Sequence, residues 1–205
     1  VYSGTADGYI NSEDASYALA RAGTGSELGF ASSSLRVGQA FASSTYRVYE
    51  SFVNFDTSAI GDSDEITVAD LSLWLTSDSS TTDFTVRIAV RDWGATLGTA
   101  DFVTGATLAG LTVIATLNTS GISSGAYNLF AETGTGVRDS INKTGLTSYV
   151  VYSSRTAGNN TPTGNEHLIF STAEAAGTTQ DPKLVITHAA VGGVTHDAAA
   201  NLATR

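Results

Sequence analysis

The densest group of chemistry-bearing side chains in this chain is an acidic loop, Asp62, Asp64 and Glu65, a few residues beyond Asp56. Crowded carboxylates can supply several of the roughly six to eight oxygen ligands that Ca²⁺ takes. The loop lacks the Asp-x-Asp-x-Asp-Gly spacing of a dedicated calcium loop, so a solvated acidic turn is the competing reading. A second pattern, Gly121-Ile122-Ser123-Ser124-Gly125, matches the G-x-S-x-G of a nucleophile elbow. An elbow needs a helix after the serine, and AYNLF reads as a strand, so no catalytic residue is assigned. Paired glycosidase carboxylates would have to come from separate strands, which one dimension does not reveal.

Aromatic side chains are the remaining chemical handle. A sugar ring lays its apolar C–H face on an exposed aromatic ring while its hydroxyls find polar neighbours. Tyr49, Trp93, Tyr149 and Tyr152 are the candidates for glycan contact, against the alternative of core or edge packing. Asn118, Asn142 and Asn159 begin Asn-x-Ser/Thr sequons, which chance also produces in a Ser/Thr-rich chain. His167 and His188 read as packing or rim residues at strand ends, and His196 lies near the C-terminus.

Strands must position these groups. The stretch from Arg47 to Leu75 reads as two strands joined by the acidic loop: Tyr46 to Phe55 is apolar at both parities, and Leu71, Leu73 and Leu75 share one face opposite Ser72, Trp74 and Thr76. The first of these strands should therefore be covered on both sides, and Trp74 half covered. Phe84 to Arg91 alternates between a core face and a solvent face, and Leu108 to Leu117 continues at the same period. Shorter strands are expected at Thr5 to Asn11, around Leu35 and Val37, and at Tyr127 to Phe130. Further strands fall at Thr147 to Ser153, His167 to Ser171 and Lys183 to His188. Ser16 to Arg21 alternates weakly, and Gly23 to Gly29 reads as a loop. Val137 and Ile141, four apart between Thr135 and Gly145, predict one short helix. Strands at this spacing, separated by Gly, Ser and Asn, imply an all-β fold, a jelly-roll β-sandwich with one short helix.

Composition narrows the function classes. The absence of cysteine excludes a disulfide framework and thiolate metal sites, and three histidines are few for a metal centre. A formal charge of −10 argues against binding a phosphate backbone, so nucleic acid is not an expected partner. No run approaches the roughly 20 apolar residues of a membrane-spanning helix, so membrane insertion is not expected either. Residues 1–188 read as one β-sandwich domain. Residues 189–205, with Gly192 and Gly193 as a hinge, read as a C-terminal tail that is either flexible or docked on a neighbouring subunit. Val191, Val194 and Leu202 are its candidate contacts.

The strand order carries a family resemblance. SFVNFDTSAI at Ser51 to Ile60 and ITVADLSLWL at Ile66 to Leu75 are similar to a strand ending in Phe-Asp, a hydroxyl turn and an "A-x-L-x-L" strand. ADGYI near the start, VRDW at Val90 to Trp93, the helix at Val137 to Asn142, and HLIFSTAEAAGTTQDPKLVITH at His167 to His188 add to the match. Together, over Thr5 to His188, the chain resembles the DNRLRE family of β-sandwich modules. These are also classed among carbohydrate-binding modules, and are found on bacterial and archaeal surface proteins and in some phage structural proteins. The chain departs from the pattern at Arg47 and in the Ser/Thr-rich loop Thr76 to Asp83, so no ligand specificity is carried over from the family.

The resemblance and the residues together lead to an expectation. The chain should be a non-catalytic, surface-exposed structural or adhesion module of an extracellular or virion assembly, with a glycan as a further ligand. Its partners would be copies of itself, other assembly proteins or polysaccharide. No resident cofactor is expected apart from the Ca²⁺ alternative at the acidic loop. The rival expectation is a carbohydrate-binding module attached to a polysaccharide-active enzyme.

Overall fold

Strand β4, Thr45–Asp56, organises the architecture in a computed structural model that describes residues 1–191 except 26, 32, 95, 175 and 176. It pairs antiparallel with β1 (Gly8–Asp14), β3 (Leu35–Ala42) and β10 (Leu146–Ser153). Residues with apolar side chains at both parities have no solvent side to offer, and from Val48 to Phe55 every residue of β4 is buried. The expectation that this strand is covered on both faces holds, and it is not an edge.

The fold is all-β. The remaining strands are β2 (Glu27–Ala31), β5 (Asp64–Asp78), β6 (Thr85–Val90), β7 (Ala115–Asn118), β8 (Ala126–Leu129), β9 (Ala131–Glu132), β11 (Asn165–Phe170) and β12 (Lys183–Ala190). They form one antiparallel sheet in the order β12-β5-β11-β3-β4-β10-β6-β7-β9, with β1, β2 and β8 branching from it. Its two halves fold over one another. Val53, Phe55, Tyr149, Val151, Val86 and Ile88 come from one half and Leu71, Leu73, Leu75, Leu168, Phe170 and Leu184 from the other, and all share one core. Gly38 sits where β3 passes from β4 to β11; its φ is 129°, and an added Cβ would lie 2.1 Å from the Glu166 carbonyl oxygen. Only glycine fits that crossing.

Four short helices stand among the described residues where one was expected: α1 (Tyr17–Ala22), α2 (Gly105–Gly110), α3 (Gly136–Asp139) and α4 (Ser154–Ala157). The expected one is α3, whose Val137 and nearby Ile141 are buried in the main core. The other three correct the sequence reading. The Ser16 to Arg21 stretch leads into helix α1, Tyr17–Ala22, which closes on Gly23 in the left-handed conformation. Leu108 belongs to α2, where Thr104 caps Thr107 N at 3.2 Å, so Leu108 to Leu117 is a helix followed by β7. Ser153 Oγ caps α4 by accepting from Arg155 N at 3.1 Å. The expected Gly23 to Gly29 loop contains the start of β2.

These helices explain a further correction. The alternation of Phe84 to Arg91 predicts that Thr85, Arg87, Ala89 and Arg91 face solvent, yet Ala89 is buried in a second core with Phe52, Val150, Tyr152, Trp93 and Leu108. The 92–111 segment, including α2, lies over that face. Among the described residues no helix is long and apolar enough to cross a membrane.

Candidate functional site

The acidic loop emerges as a charge-paired cleft. Its approach is set by Asp56, whose Oδ1 accepts from Ser58 N at 3.1 Å and Ser58 Oγ at 2.6 Å. The hydroxyl bond first, then the main-chain bond, holds the Asp56 carboxyl below its usual range. Asp64 Oδ2 accepts from His188 Nδ1 at 2.6 Å, which ties β5 to β12. Lys143 Nζ donates to the main-chain oxygens of Asp62, at 3.2 Å, and of Asp64. Asp64, Glu65, Arg138, Asp139 and Lys143 line a cleft of about 410 Å³. The three carboxylates proposed for Ca²⁺ are therefore not gathered around a common point: Asp64 is engaged by His188, while Asp62 and Glu65 face solvent. Among the described residues no three Asp, Glu or His side chains form a ready metal-ligand set.

The four aromatic candidates are all interior, which removes them as sugar platforms. Tyr49 and Trp93 are each 5% exposed, and Tyr149 and Tyr152 are fully buried. A ring stacks on a sugar only if its face meets solvent, and period-2 spacing does not distinguish an inner from an outer face. Tyr149 packs in the main core, its hydroxyl 2.8 Å from Ser140 Oγ and pushed up to about 12 by burial. Trp93 meets Phe52 edge-on at 6.4 Å between ring centroids. Half-buried Trp74, as expected for its face, meets Tyr127 at 5.3 Å with the rings at 86°, and Lys183 Nζ stands 4.3 Å over the Tyr127 ring. Perpendicular rings give no coplanar stacking platform.

Two polar groups that sequence reasoning missed bind the strands together. Arg36 lies over both Tyr9 and Tyr49, at 5.5 and 5.0 Å from the ring centroids, and the His167 ring stands 5.3 Å from Tyr49. Burial first, then the Arg36 charge, depresses His167 to about 4. Behind β3, Tyr17 Oη donates to Gln39 Oε1 at 2.7 Å, and Gln39 Nε2 donates to Glu166 Oε2 at 2.6 Å. Arg155 closes this network on Glu166. No local pattern marks such a network, because its members lie on α1, α4, β3 and β11.

The third missed group is Asp7, just before β1. Its Oδ2 accepts from Ser3 Oγ at 2.7 Å and Ala173 N at 3.3 Å, and its carboxyl meets that of Glu174, a contact that favours a proton on Asp7. Burial, followed by repulsion from Glu174, pushes Asp7 up to about 8. Asp181, also buried, has an unpartnered Oδ1 and is raised first by burial and then by Glu174. Asp7 and Glu174 are distant in sequence, and nothing along the chain signals their meeting.

The remaining assignments take ordinary places. At the G-x-S-x-G pattern, Ser123 N donates to Asn128 Oδ1 at 2.9 Å, and Asn128 Nδ2 returns a bond to Ser123 O at 3.0 Å. Strand β8 then follows where an elbow needs a helix. Asn118 and Asn142 side chains accept from Ser120 N and Thr144 N as turn caps. Val191 is 60% exposed beyond β12, which runs to Ala190, two residues past the expected end. Val194, Leu202, His196 and the Gly192–Gly193 hinge lie outside the described residues. No family model matches the chain, and no curated protein matches it either.

Proposed function

We propose that this chain is a non-catalytic, DNRLRE-like β-sandwich module that serves a structural and adhesive role on the outside of a cell or virus particle. The observation that carries the reading is the outward face of β5, β12 and β8. Val68, Val185 and Leu129 are 39%, 44% and 55% exposed there. The register places Val185 opposite Asp70, diagonal to Val68, and Leu129 opposite Ser72. Exposed aliphatic side chains on one sheet face suit contact with another protein surface, a second copy or a fellow assembly protein. The segments with the DNRLRE likeness fall on β4, its Asp56 turn and β5, so the resembling residues are those that build this face and its support.

Light scattering across a concentration series tests the reading. Self-association that weakens in a Val185→Lys, Leu129→Lys double variant with unchanged thermal stability is the expected result. A chain that stays monomeric and instead retains polysaccharides on a glycan array would establish the rival carbohydrate-binding module.

A further inference from the structure

The 92–111 segment covers one face of β1, β4, β10 and β6. Its Trp93, Leu97, Val103 and Leu108 complete the second core over Phe52 and Val150. Among the described residues its main chain pairs with no strand, and two hydrogen bonds tie it to the rest of the chain. Val103 N donates to Glu50 Oε2 at 2.9 Å, and Arg21 Nη2 donates to Gly105 O at 2.6 Å. Gly94, at φ 79°, and Gly110 stand near its two ends, where an added Cβ would meet no atom within 4 Å. A segment held by side-chain burial and few bonds can open separately from the sheet beneath it.

Glu50 is badly placed to carry a charge. It lies opposite Ile10 in the middle of β4, is fully buried, and its Oε1 meets no donor among the described residues. Ionising a buried carboxylate that has one donor is costly. Arg91, at the end of β6, is the cation that acts on it, yet the two form no ion pair among the described residues, and the buried Arg91 Nε meets no acceptor. The other ionisable groups of the packed elements are engaged elsewhere. Arg21 and Tyr17 of α1 bond Thr156 O and Gln39, Arg155 of α4 pairs with Glu166, and Glu13 of β1 pairs with Arg47. Asp14 accepts from Ser16 N, and Asp92 and Asp101 accept from Gly94 N and Gly98 N of their own segment. Tyr152 of β10 is raised by burial and acts with Arg87.

We propose that residues 92–111 form a strap that opens when Glu50 loses its proton, uncovering the second core while the sheet stays paired. Burial, opposed by the Val103 N–H bond and the Arg91 charge, raises Glu50 well above the ordinary carboxylate value of 4.5. Opening returns the carboxyl to water and to that ordinary value. The closed strap is therefore fully favoured below pH 4.5. Between the ordinary and the raised value the open form gains up to about tenfold per pH unit, and the gain levels off above the raised one. The device does not depend on the adhesive reading.

The test is hydrogen exchange of the full chain from pH 5 to 8, with each rate corrected for the intrinsic exchange rate at that pH. Opening at Val103 and its neighbours should rise by roughly tenfold or more over this range. The β10 amides should open at least about tenfold less often than the strap at pH 8. Glu50→Gln keeps an oxygen for Val103 N–H but cannot ionise, so its strap opening should not vary with pH. Glu50→Met, of similar length and also unable to ionise, answers the same question should Glu50→Gln fail to fold. A wild-type strap whose opening is flat from pH 5 to 8 overturns the proposal, as does the wild-type rise persisting in either folded variant. Strap and β10 amides opening equally at every pH overturns it too.

Discussion

Arg155 and Glu166 meet through two side-chain bonds, Nε to Oε2 at 2.6 Å and Nη2 to Oε1 at 3.1 Å, with the Glu166 side chain 1% exposed. Gln39 Nε2 adds a third bond to the same carboxylate, so α4, β3 and β11 are fixed through one residue. Truncating one partner of such a buried pair strands the other. Glu166→Ala should therefore destabilise the chain by about 3–5 kcal/mol. Urea unfolding of Glu166→Ala, Arg155→Ala and the double variant checks this. The double variant should lose clearly less than the sum of the singles, because no uncompensated charge is left.

His167 gives the chain an acid-sensitive point. Its folded pKa is about 4, below the ordinary value of 6.5. A depressed base holds its stabilising neutral form above pH 6.5 and loses that stability as pH falls towards 4, because the unfolded chain binds the proton first. The groups acting on it are Arg36, which opposes protonation, and Asp78, which favours it. The shift corresponds to roughly 3 kcal/mol between those limits. In urea titrations His167→Gln should lose less stability than the wild type as pH falls from 7 to 4. Parallel curves for the two proteins would refute the assignment.

The strands were legible where composition alone decides burial. From Val48 to Phe55 apolar side chains occupy both parities, and no arrangement of such a strand leaves a face in water. Leu71, Leu73 and Leu75 were likewise legible by period. Helix α2 was not: Leu111, Val113, Ala115 and Leu117 fit a strand period, and the reading ran back to Leu108 past the Thr104 cap and the helical three-residue spacing of Leu108 and Leu111. Tyr49, Trp93, Tyr149 and Tyr152 were misread as ligand candidates because exposure depends on what the 92–111 segment and the opposite half of the sheet cover. Asp7 and Glu174 could not be paired along the chain, since their meeting is a property of the closed fold.

The inward face of β5 and the outward face of its neighbour β12 should respond unequally to truncation. Leu73 is fully buried and shares the main core with residues of both sheet halves, so Leu73→Ala removes packed atoms and leaves a cavity. A loss of about 2–5 kcal/mol is expected. Val185, 44% exposed on the outward face, should change stability by about 0.5 kcal/mol or less on conversion to Ala. Equal losses at the two positions would mean that the outward face is covered in the isolated chain.

Trp93 should behave as a core residue in both stability and binding assays. It is 5% exposed and packs with Leu97 and Leu108 of its own segment and with Phe52 of β4. Trp93→Ala should destabilise by about 3–5 kcal/mol. Any glycan retention by the wild type should persist in Trp93→Phe, which keeps most of the packing. Loss of retention in a stably folded Trp93→Phe would return the residue to the ligand-binding set.

Asp7 should weaken the fold as pH rises. Its carboxyl is raised from 3.8 to about 8, first by burial, and faces Glu174, the Ser3 hydroxyl and the Ala173 N–H. A raised acid contributes stability that is complete below pH 4 and disappears as pH climbs through 8, because folding then requires a charge to be buried. Asp7→Asn keeps an oxygen for Ser3 and Ala173 but carries no charge. This variant should match the wild type near pH 4 and exceed it in urea midpoint by pH 8.5. His167 titrates with the opposite sign over part of this range, so the quantity to compare is the difference between variant and wild type at each pH. A difference that does not grow with pH would show that the Asp7 carboxylate is already neutralised by a protein group.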